Sequence, residues 1–307
     1  MVRKISIIGS GAVGSSLAFH LLSRLNVPEL SLVDIAGDLA KGVSLDLEDT
    51  RAFLGFSTKL AAGSDFSFIE DSDIVVITAG IARKEGMTRL DLLKINAKVA
   101  KEVSQKIKKL SPHAIVIVVT NPLDFITYIV NKETGFNRNR ILGMGSSLDT
   151  ARFLGLFSQI SGFSPDSLEG FVFGLHNNDM IISAERMKVK GESADSLLKN
   201  NIIKKIQDKT ASRGGEIVSF LKNRSAHFAP SLGCYYLIEA IFYDKNMVIP
   251  VSVLLLGEYG LNQICMGVPC LINKNGADKI IEIKLSKEEK EKIKKVKNEF
   301  KEIKEIY

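Results

Sequence analysis

The chain has 307 residues, of which 45% are apolar and 25% charged, and its formal net charge at pH 7 is +6. This length allows one large domain or two fused domains with a sizeable core. No run approaches the ~18 apolar residues of a membrane span, so no membrane partner is expected. The three cysteines form no metal-spaced cluster, which predicts no metal site and a reducing, cytoplasmic setting.

Short apolar runs alternate with helical patterns in the first half of the chain. The strand-like runs are Lys4–Ile8, Leu30–Asp34, Ile74–Thr78 and Ala114–Thr120. Between the first two, apolar residues from Val13 to Leu25 recur at the spacing of one helical face. Strands that are apolar throughout and separated by helices predict a parallel sheet covered on both faces.

A glycine-rich turn follows the first strand. It reads Gly9, Ser10, Gly11, Ala12, Val13 and Gly14, and Asp34 ends the second strand twenty residues after Gly14. Such a turn lets a pyrophosphate approach the helix N-terminus, and its last glycine lets helix and strand pack closely. Asp34 can accept hydrogen bonds from a ribose diol and would repel a 2′-phosphate, which favours NAD over NADP. The alternative is a packing turn with a solvated aspartate.

The segment after the third of these strands combines a turn, two arginines and a helix. The strand ends at Thr78, turns at Ala79-Gly80 and leads to Arg83 and Arg89, six residues apart. Two guanidiniums in a loop after a buried strand predict a lid over a small dicarboxylic acid. The following helix has apolar residues at spacings of three and four, namely Ile95, Val99, Val103, Ile107 and Leu110.

Four further residues carry possible chemistry, and each has an ordinary alternative. Asn121, in Thr120-Asn121-Pro122, can bond both cofactor and substrate, although the tripeptide is equally compatible with a plain helix start. Asp149 and Arg152 share one helix face, as a surface ion pair also would. His176 lies between two strand-like runs, where a histidine is usually structural.

The regular alternation of apolar strands and helices ends after about Gly143. We predict a helix at Leu148–Ile160, strands at Leu168–Leu175 and Met180–Lys190, and helices within Ser193–Leu221 and Leu232–Phe242. A run at Ile264–Ile272 continues through Asn275-Gly276 to Ile280–Leu285, which predicts a β-hairpin. The predicted fold is therefore α/β: a Rossmann-type doubly wound parallel sheet at 1–143, which binds NAD, followed by a mixed α+β catalytic and substrate domain at 144–307.

The C-terminal tail supplies half of the net charge, with nine lysines and six glutamates from Lys284 onward. Its apolar residues recur on one helical face and include Ile293, Val296, Phe300 and Ile303. Ser286 and Glu289 form a capping-box pattern at its start. These features predict an amphipathic helix and no nucleic-acid partner.

Taken together, the glycine turn with Asp34, the Arg83/Arg89 loop, Thr120-Asn121-Pro122, Leu148-Asp-Thr-Ala-Arg152 and His176 resemble the lactate/malate dehydrogenase family in order and spacing. The resemblance covers the whole chain and is strongest to the prokaryotic lactate-dehydrogenase-like malate dehydrogenases. It implies an NAD-dependent enzyme that converts (S)-malate to oxaloacetate by hydride transfer. It also implies a homo-oligomer, a dimer or more often a tetramer, acting in the tricarboxylic acid cycle.

The same resemblance implies roles for individual residues. His176 would be the general acid and base, Asp149 would hold its tautomer, and Arg152 would grip the C1 carboxylate. Arg89 would polarise the substrate carbonyl, and Asn121 would orient substrate and nicotinamide. Cofactor contacts would come from the glycine turn and Asp34 and from the following set: Thr78, Ala79, Gly80, Asn96, Val119, Thr120 and Asn121.

Arg83 would select the substrate, because malate dehydrogenases carry arginine there to pair the second carboxylate and lactate dehydrogenases typically carry glutamine. Ala226, where lactate enzymes usually carry threonine, leaves room for the larger substrate. The alternatives are an L-lactate or other 2-hydroxy-acid dehydrogenase, and a dinucleotide-binding protein without catalytic activity.

The histidine segment departs from the family form Gly-Glu-His-Gly-Asp, since it reads Gly174-Leu175-His176-Asn177-Asn178. Fewer acids in the segment should lower the pKa of His176 relative to that form. Ala82 replaces a common proline before Arg83 and is expected to loosen the lid.

Overall fold

The computed structural model describes residues 2–81, 87–222 and 225–304. The strands are β1 Lys4–Ile8, β2 Glu29–Val33, β3 Lys59–Gly63, β4 Ile74–Ile77, β5 Ile115–Val118, β6 Ile141–Gly143, β7 Leu168–Glu169, β8 Val172–Phe173, β9 Ile181–Ile182, β10 Lys188–Val189, β11 Glu192–Ser193, β12 Met247–Leu256, β13 Asn262–Asn273 and β14 Gly276–Ile280. The helices are α1 Ala12–Arg24, α2 Gly37–Asp49, α3 Arg51–Leu54, α4 Arg89–Leu110, α5 Leu123–Thr134, α6 Gly145–Ser161, α7 Ala194–Leu197, α8 Asn200–Leu221, α9 Phe228–Phe242 and α10 Lys287–Lys304.

Within these residues, nine strands form one sheet in the order β14-β13-β12-β6-β5-β4-β1-β2-β3. Strands β1 to β6 are mutually parallel. Their order is that of a Rossmann sheet, in which the carboxyl ends of the strands form the ligand-binding edge. Every residue of β4 and β5 is buried because helices cover both faces. The predicted α/β fold with a doubly wound parallel sheet is confirmed.

Strands from the second half of the chain extend this same sheet. β12 pairs antiparallel with β6 through Ser252 and Gly143, and β13 and β14 follow in antiparallel pairing. The two halves of the chain therefore share one continuous sheet, which the sequence did not indicate. This continuity fixes the position of the second half relative to the parallel strands.

The predicted hairpin at Asn275-Gly276 is present, but its second strand begins earlier than expected. Asn273 pairs with Gly276, so β14 starts immediately after a two-residue turn and ends at Ile280. The predicted strand at Ile280–Leu285 was wrong, because a tight turn commits the next residues to pairing at once.

The long strands predicted at Leu168–Leu175 and Met180–Lys190 were also wrong. They are replaced by the two-residue strands β7, β8, β9 and β10. Gly170 and Gly174 have φ angles of 146° and 97°, which turn the chain out of the extended conformation. The turn at Gly174 sets the direction in which the following histidine enters the molecule.

The C-terminal segment forms the predicted amphipathic helix. Its capping box is present, with Glu289 N–H donating to Ser286 Oγ and Ser286 N–H donating to Glu289. Arg186 also pairs with both oxygens of the buried Glu289 carboxylate at 3.0 Å. Phe300 is 1% exposed, and the centroid of its ring lies 4.4 Å from the ring centroid of Phe125 in α5. None of the helices in the described ranges is long and apolar enough to cross a membrane.

We expect Phe300→Ala to lower the free energy of unfolding by ~3–5 kcal/mol, because it removes a buried aromatic ring and leaves a cavity beside Phe125. Denaturant unfolding followed by circular dichroism measures this loss. The matched control is Lys294→Ala, an exposed position of the same helix, which should change the value by less than about 0.5 kcal/mol. Equal effects of the two variants would contradict the packing of α10.

Candidate active site

The glycine turn between β1 and α1 is shaped by close backbone packing. Gly9 has φ 107°, and a Cβ on Gly14 would lie 1.9 Å from the Gly9 carbonyl oxygen, so a side chain does not fit at Gly14. A Cβ on Gly11 would instead meet no described atom within 4 Å. The turn is thus tight on the strand side and open above the N-terminus of α1, where backbone N–H groups favour an anion.

Two polar groups fit a dinucleotide here, the Ser10 hydroxyl in the turn and the Asp34 carboxylate beside it. The Ser10 hydroxyl is buried and has no hydrogen-bond partner among the described residues. Asp34 lies beside it, where its carboxylate accepts hydrogen bonds from Ser10 N–H at 2.7 Å and Ala36 N–H at 2.9 Å. Each carboxylate oxygen has a second lone pair for a ribose hydroxyl. The chemistry of these donors and acceptors matches a pyrophosphate followed by a ribose diol.

The loops after β4 and β5 lie at the same edge of the sheet and are tied together by threonines. Thr78 Oγ1 donates to the Gly9 carbonyl at 2.8 Å, and Thr120 Oγ1 donates to the Ala79 carbonyl at 2.7 Å. Val119 N–H continues the pairing by donating to the Ile77 carbonyl. These loops therefore form one continuous border beside the glycine turn.

Asn121 and Asn96 meet at this border. Asn121 precedes Pro122 in a cis peptide bond and stands two residues before the start of α5. Asn96, from α4, is fully buried and donates to the Asn121 carbonyl at 2.7 Å. It also pairs with the backbone of Ile81. The Asn96 side chain thus bonds backbone groups of both loops, and the cofactor contact that the resemblance implies for it stays a prediction.

Helix α6 and the histidine segment bring three predicted residues together. His176 Nδ1 lies 2.6 Å from Asp149 Oδ2, and Arg152 Nη1 lies 3.4 Å from Asp149 Oδ1. The Asp149 side chain is 1% exposed, which excludes the alternative of a surface ion pair. The first residue of α6 is Gly145, where a Cβ would lie 2.8 Å from His176 Cβ, so the histidine packs directly on the helix start.

The protonation of His176 is set by groups from two helices. Burial favours the neutral ring, but the charge and hydrogen bond of Asp149 and the charge of Asp124 raise the pKa of His176 above its ordinary value, against a smaller opposing effect of Arg152. The sequence analysis predicted a lower pKa for His176 than in the family form Gly-Glu-His-Gly-Asp, and that comparison stays a prediction. In this chain the carboxylates of α5 and α6 determine the direction of the shift.

Arg152 is a buried cation with incomplete pairing. Its side chain is 13% exposed, and its buried Nε has no hydrogen-bond partner among the described residues. Burial lowers the pKa of Arg152, partly offset by the charge of Asp149. A guanidinium that is desolvated and only weakly paired is suited to a carboxylate, which can accept two parallel N–H bonds.

Asp124 is the residue that the sequence analysis missed. It is 2% exposed, and its Oδ2 accepts a hydrogen bond from the His176 N–H at 2.7 Å. The contact links positions 52 residues apart, so no local pattern predicts it. The available signal was an acid at the start of the apolar helix Leu123–Thr134, where burial of a carboxylate requires a specific partner.

The predicted lid is only partly covered by the structure. Ala82 and Arg83 lie outside the described residues, and Arg89 is the first residue of α4, with its side chain outside the described part. Helix α4 begins with a capping box in which Asp91 N–H donates to Thr88 Oγ1 at 3.1 Å. The start of α4 is therefore fixed. Within the described residues no group of three or more His, Cys, Asp or Glu side chains is placed to hold a metal ion.

The Rossmann sheet, the glycine turn and the buried His176–Asp149 pair beside Arg152 are features of a Rossmann-type, NAD-dependent oxidoreductase. Two family models match the chain: the lactate/malate dehydrogenase NAD-binding domain over residues 3–143, and the lactate/malate dehydrogenase alpha/beta C-terminal domain over residues 146–306. The chain belongs to the lactate/malate dehydrogenase family.

Individual relatives agree with this assignment. The chain is 42% identical to a malate dehydrogenase of Bacillus israeli over 290 residues, which cover 94% of this chain and 93% of that protein. Among solved structures, malate dehydrogenase of Cryptosporidium parvum has a TM-score of 0.93 and 34% identity, covering 99% of this chain and 100% of its own. Lactate dehydrogenase of the same organism, solved with lactic acid and NAD, has a TM-score of 0.94 and 32% identity, covering 100% and 98%.

We expect Asp124→Asn to shift the pH dependence of catalysis to lower pH. With His176 as the general acid that the resemblance implies, reduction of a 2-oxo acid would use the protonated ring. A raised pKa of His176 would then extend this activity towards higher pH, and removal of the Asp124 charge would withdraw that extension. The asparagine oxygen can still accept from His176 N–H. The change is measured by the dependence of kcat/KM on pH, for reduction of a 2-oxo acid by the wild type and by the variant.

Asp124→Leu serves as the comparison, because it also removes the hydrogen bond. Leaving the buried His176 N–H unpaired should cost roughly 1–3 kcal/mol in the free energy of unfolding. A pH profile of Asp124→Asn that superimposes on that of the wild type would contradict an electrostatic role for Asp124.

Proposed function

We propose that this chain is an NAD-dependent malate dehydrogenase that catalyses (S)-malate + NAD⁺ ⇌ oxaloacetate + NADH + H⁺. The observation that carries the chemistry is the buried His176–Asp149 pair beside the incompletely paired Arg152, at the sheet edge that also bears the glycine turn. The choice of malate rests on relatives of 40–42% identity that are named malate dehydrogenase, and on arginine at position 83.

Binding of the substrate begins with Arg152. Its guanidinium holds the C1 carboxylate by two N–H bonds, and the carboxylate restores the pairing that burial has taken from this cation. Such a two-point grip fixes the C2 atom relative to the histidine ring. Asn121 orients the substrate from the loop after β5, and Arg83 pairs with the second carboxylate.

His176 moves the proton. Nδ1–H donates to Asp149, which leaves Nε2 as the atom that exchanges a proton with the C2 oxygen. In oxidation the neutral ring accepts the hydroxyl proton, and Asp149 stabilises the imidazolium that results. In reduction the imidazolium returns the proton to that oxygen, while Arg89 polarises the carbonyl. When bound, the nicotinamide of NAD accepts or supplies the hydride at C2.

The two predicted domains divide cofactor binding and substrate chemistry between them. Residues 1–143 hold the cofactor through the glycine turn, Asp34, Thr78, Ala79, Gly80, Asn96, Val119, Thr120 and Asn121, and residues 144–307 supply Asp149, Arg152 and His176. We place the enzyme in the cytoplasm and in the tricarboxylic acid cycle. The three cysteines are free and buried, which suits a reducing compartment.

The second candidate is an L-lactate dehydrogenase, favoured by the similarity to the structure solved with lactic acid and NAD. The substrates of the two candidates differ in the group attached to C2, which ends in a carboxylate in oxaloacetate and is a methyl group in pyruvate. A carboxylate there pairs with Arg83, whereas the methyl group of pyruvate would leave a cation without a partner. The sequence therefore favours the dicarboxylic substrate.

We expect the purified protein to reduce oxaloacetate with NADH at a higher kcat/KM than pyruvate, by on the order of 100-fold, because specific polar pairing in a site rejects analogues that lack the partner. Steady-state rates at 340 nm with each 2-oxo acid measure the ratio. A higher kcat/KM for pyruvate would assign the chain to the lactate enzymes, and binding of NADH without turnover of either acid would identify a non-catalytic protein.

Arg83→Gln should lower kcat/KM for oxaloacetate by on the order of 100-fold and leave that for pyruvate unchanged or increased. The selective loss follows from removal of the partner of the second carboxylate. The matched control is Arg3→Gln, which removes an exposed guanidinium directly before β1, at the end of that strand opposite to the glycine turn. Equal loss on both substrates would mean that Arg83 does not select the substrate.

The enzyme should be a homo-oligomer, either a dimer or a tetramer. Several large apolar side chains remain exposed on its helices, including Leu45 (68%), Phe53 (90%) and Phe228 (73%). Such side chains are costly to leave in water and commonly mark subunit contacts. Size-exclusion chromatography with light scattering should give about two or four times the chain mass of 33.7 kDa. A mass of one chain at micromolar concentration would refute the assembly.

A further inference from the structure

Helix α10 is fixed to the rest of the chain near both of its ends. Close to its start, the buried Glu289 carboxylate pairs with Arg186 through both oxygens. Further along, Phe300 packs on two rings of α5, with its ring centroid 4.4 Å from that of Phe125 and 5.8 Å from that of Tyr128. A side chain between these two contacts therefore has a defined position from which it can hold a neighbouring segment.

Glu299 stands directly before Phe300 and contacts the segment that carries the histidine. The Asn177 side-chain amide donates to both of its carboxylate oxygens, at 3.4 Å to Oε1 and 3.3 Å to Oε2. Asn177 and Glu299 are 122 positions apart in the chain, and both are partly buried. These bonds are long, but a charged acceptor that is partly shielded from water strengthens them. The contact thus ties the histidine segment to a helix that is itself held in place.

The same Asn177 side chain shapes the turn after the histidine. Its Oδ1 accepts from Asp179 N–H at 2.8 Å, and its backbone N–H donates to the Leu175 carbonyl at 2.8 Å. One end of the amide therefore acts within the segment and the other end reaches α10. In the family form Gly-Glu-His-Gly-Asp this position is glycine, which has no side chain to make either bond. The contact with α10 is thus a feature of this chain that the family form does not provide.

The contacts of α10 lie on either side of the hydrogen bond that holds the histidine backbone. In that bond Asp124 accepts from His176 N–H at 2.7 Å. The residue after Asp124 is Phe125, on which Phe300 packs. The residue after His176 is the asparagine that bonds the neighbour of Phe300 in α10. Two consecutive residues of α10 therefore hold the chain next to both partners of this bond.

We infer that Glu299 is a positioning residue that acts through Asn177 to fix where the His176 ring stands, an inference that rests on the proposed function for the role of His176. Asp149 holds one ring nitrogen of the histidine and Asp124 its backbone N–H, and the contact with α10 holds the chain on the carboxyl side. A shift of about 1 Å at a reacting group costs roughly 10²-fold in rate, so partial loss of this alignment should cost about tenfold.

Removing and then retaining the acceptor tests the contact from the side of α10. In a single turnover with saturating oxaloacetate, Glu299→Ala should lower the rate constant of NADH oxidation about tenfold. Glu299→Gln keeps an acceptor oxygen for the Asn177 amide and should stay within about threefold of the wild type. The half-saturating concentration of oxaloacetate should change by less than about threefold in both variants, because Arg152 is held by α6. The matched control is Glu291→Ala, an exposed glutamate of α10 paired with Lys294, which should leave both quantities unchanged.

Exchanging donor and acceptor tests the contact from the side of the histidine segment. Asn177→Asp keeps an oxygen for Asp179 N–H but places a second carboxylate against Glu299, so the rate constant should fall at least about tenfold. Adding Glu299→Gln to Asn177→Asp supplies an amide that donates to the new carboxylate and should restore the rate constant to within about threefold of the wild type. Adding Glu299→Ala instead removes the repulsion without forming a bond and should restore less. Rates are compared at a pH at which His176 is protonated in every variant.

Three outcomes of the rate measurements would overturn the inference. Wild-type rate constants in both Glu299→Ala and Glu299→Gln would remove any role of the residue. Equally slow turnover in the two variants would assign its effect to charge and not to the hydrogen bond. Failure of Glu299→Gln to restore the rate constant of Asn177→Asp would show that the two side chains act independently.

Hydrogen exchange at the histidine segment separates this inference from the proposed function. The His176 N–H is bonded to Asp124, and loosening of the segment should speed exchange there at least about fivefold in Glu299→Ala but not in Glu299→Gln. Mass spectrometry of a peptide covering residues 174–180 measures this exchange without substrate or cofactor. If the wild type reduces no 2-oxo acid, the proposed function fails, while faster exchange in Glu299→Ala still supports the contact. Unchanged exchange in that variant would overturn it.

Discussion

The catalytic site depends on one buried cluster of charges that must pair internally. His176 is held by two carboxylates from different helices, at its ring by Asp149 and at its backbone by Asp124. Both acids are at most 2% exposed, and burial of an unpaired carboxylate would cost several kcal/mol. Asp149 and Asp124 therefore orient His176, and His176 in turn supplies a hydrogen-bond partner to each carboxylate. His176 thus bridges the starts of α5 and α6, through its backbone N–H to Asp124 and through its ring to Asp149.

The continuous sheet explains how this cluster meets the cofactor site. β5 and β6 are adjacent parallel strands, so the helices that follow them, α5 and α6, begin side by side at the carboxyl edge. The glycine turn after β1 opens at the same edge, with β4 between it and β5. The antiparallel strands β12 to β14 then extend the sheet beyond β6. One sheet thus sets the distance between the residues proposed to bind NAD and the pair proposed to move the proton.

Much of this arrangement follows from the sequence, and the exceptions have identifiable causes. Parallel strands and the glycine turn were predictable because apolar runs and glycine spacing are local signals. The predicted apolar stripe of α4 is confirmed except at its start: Val103 and Ile107 are buried and Val99 and Leu110 pack against the core, but Ile95 is 41% exposed. The polar residues Asn96 and Ser104 are fully buried on the inner face, and apolar periodicity does not predict buried polar residues. Asp124 was missed because its partner lies far along the chain, and hydrogen bonds between distant loops leave no periodic trace.

The altered residues around His176 are accommodated without disturbing the cluster. Leu175 is 3% exposed and joins the core, where an acid would have required a partner. Asn177 turns the chain by accepting from Asp179 N–H at 2.8 Å, and its amide donates to Glu299 of α10. Neither side chain contributes charge to the ring, whose pKa is instead raised by Asp149 and Asp124. The proposed proton transfer thus depends on groups of the two helices, which allows the segment that carries the histidine to vary in sequence.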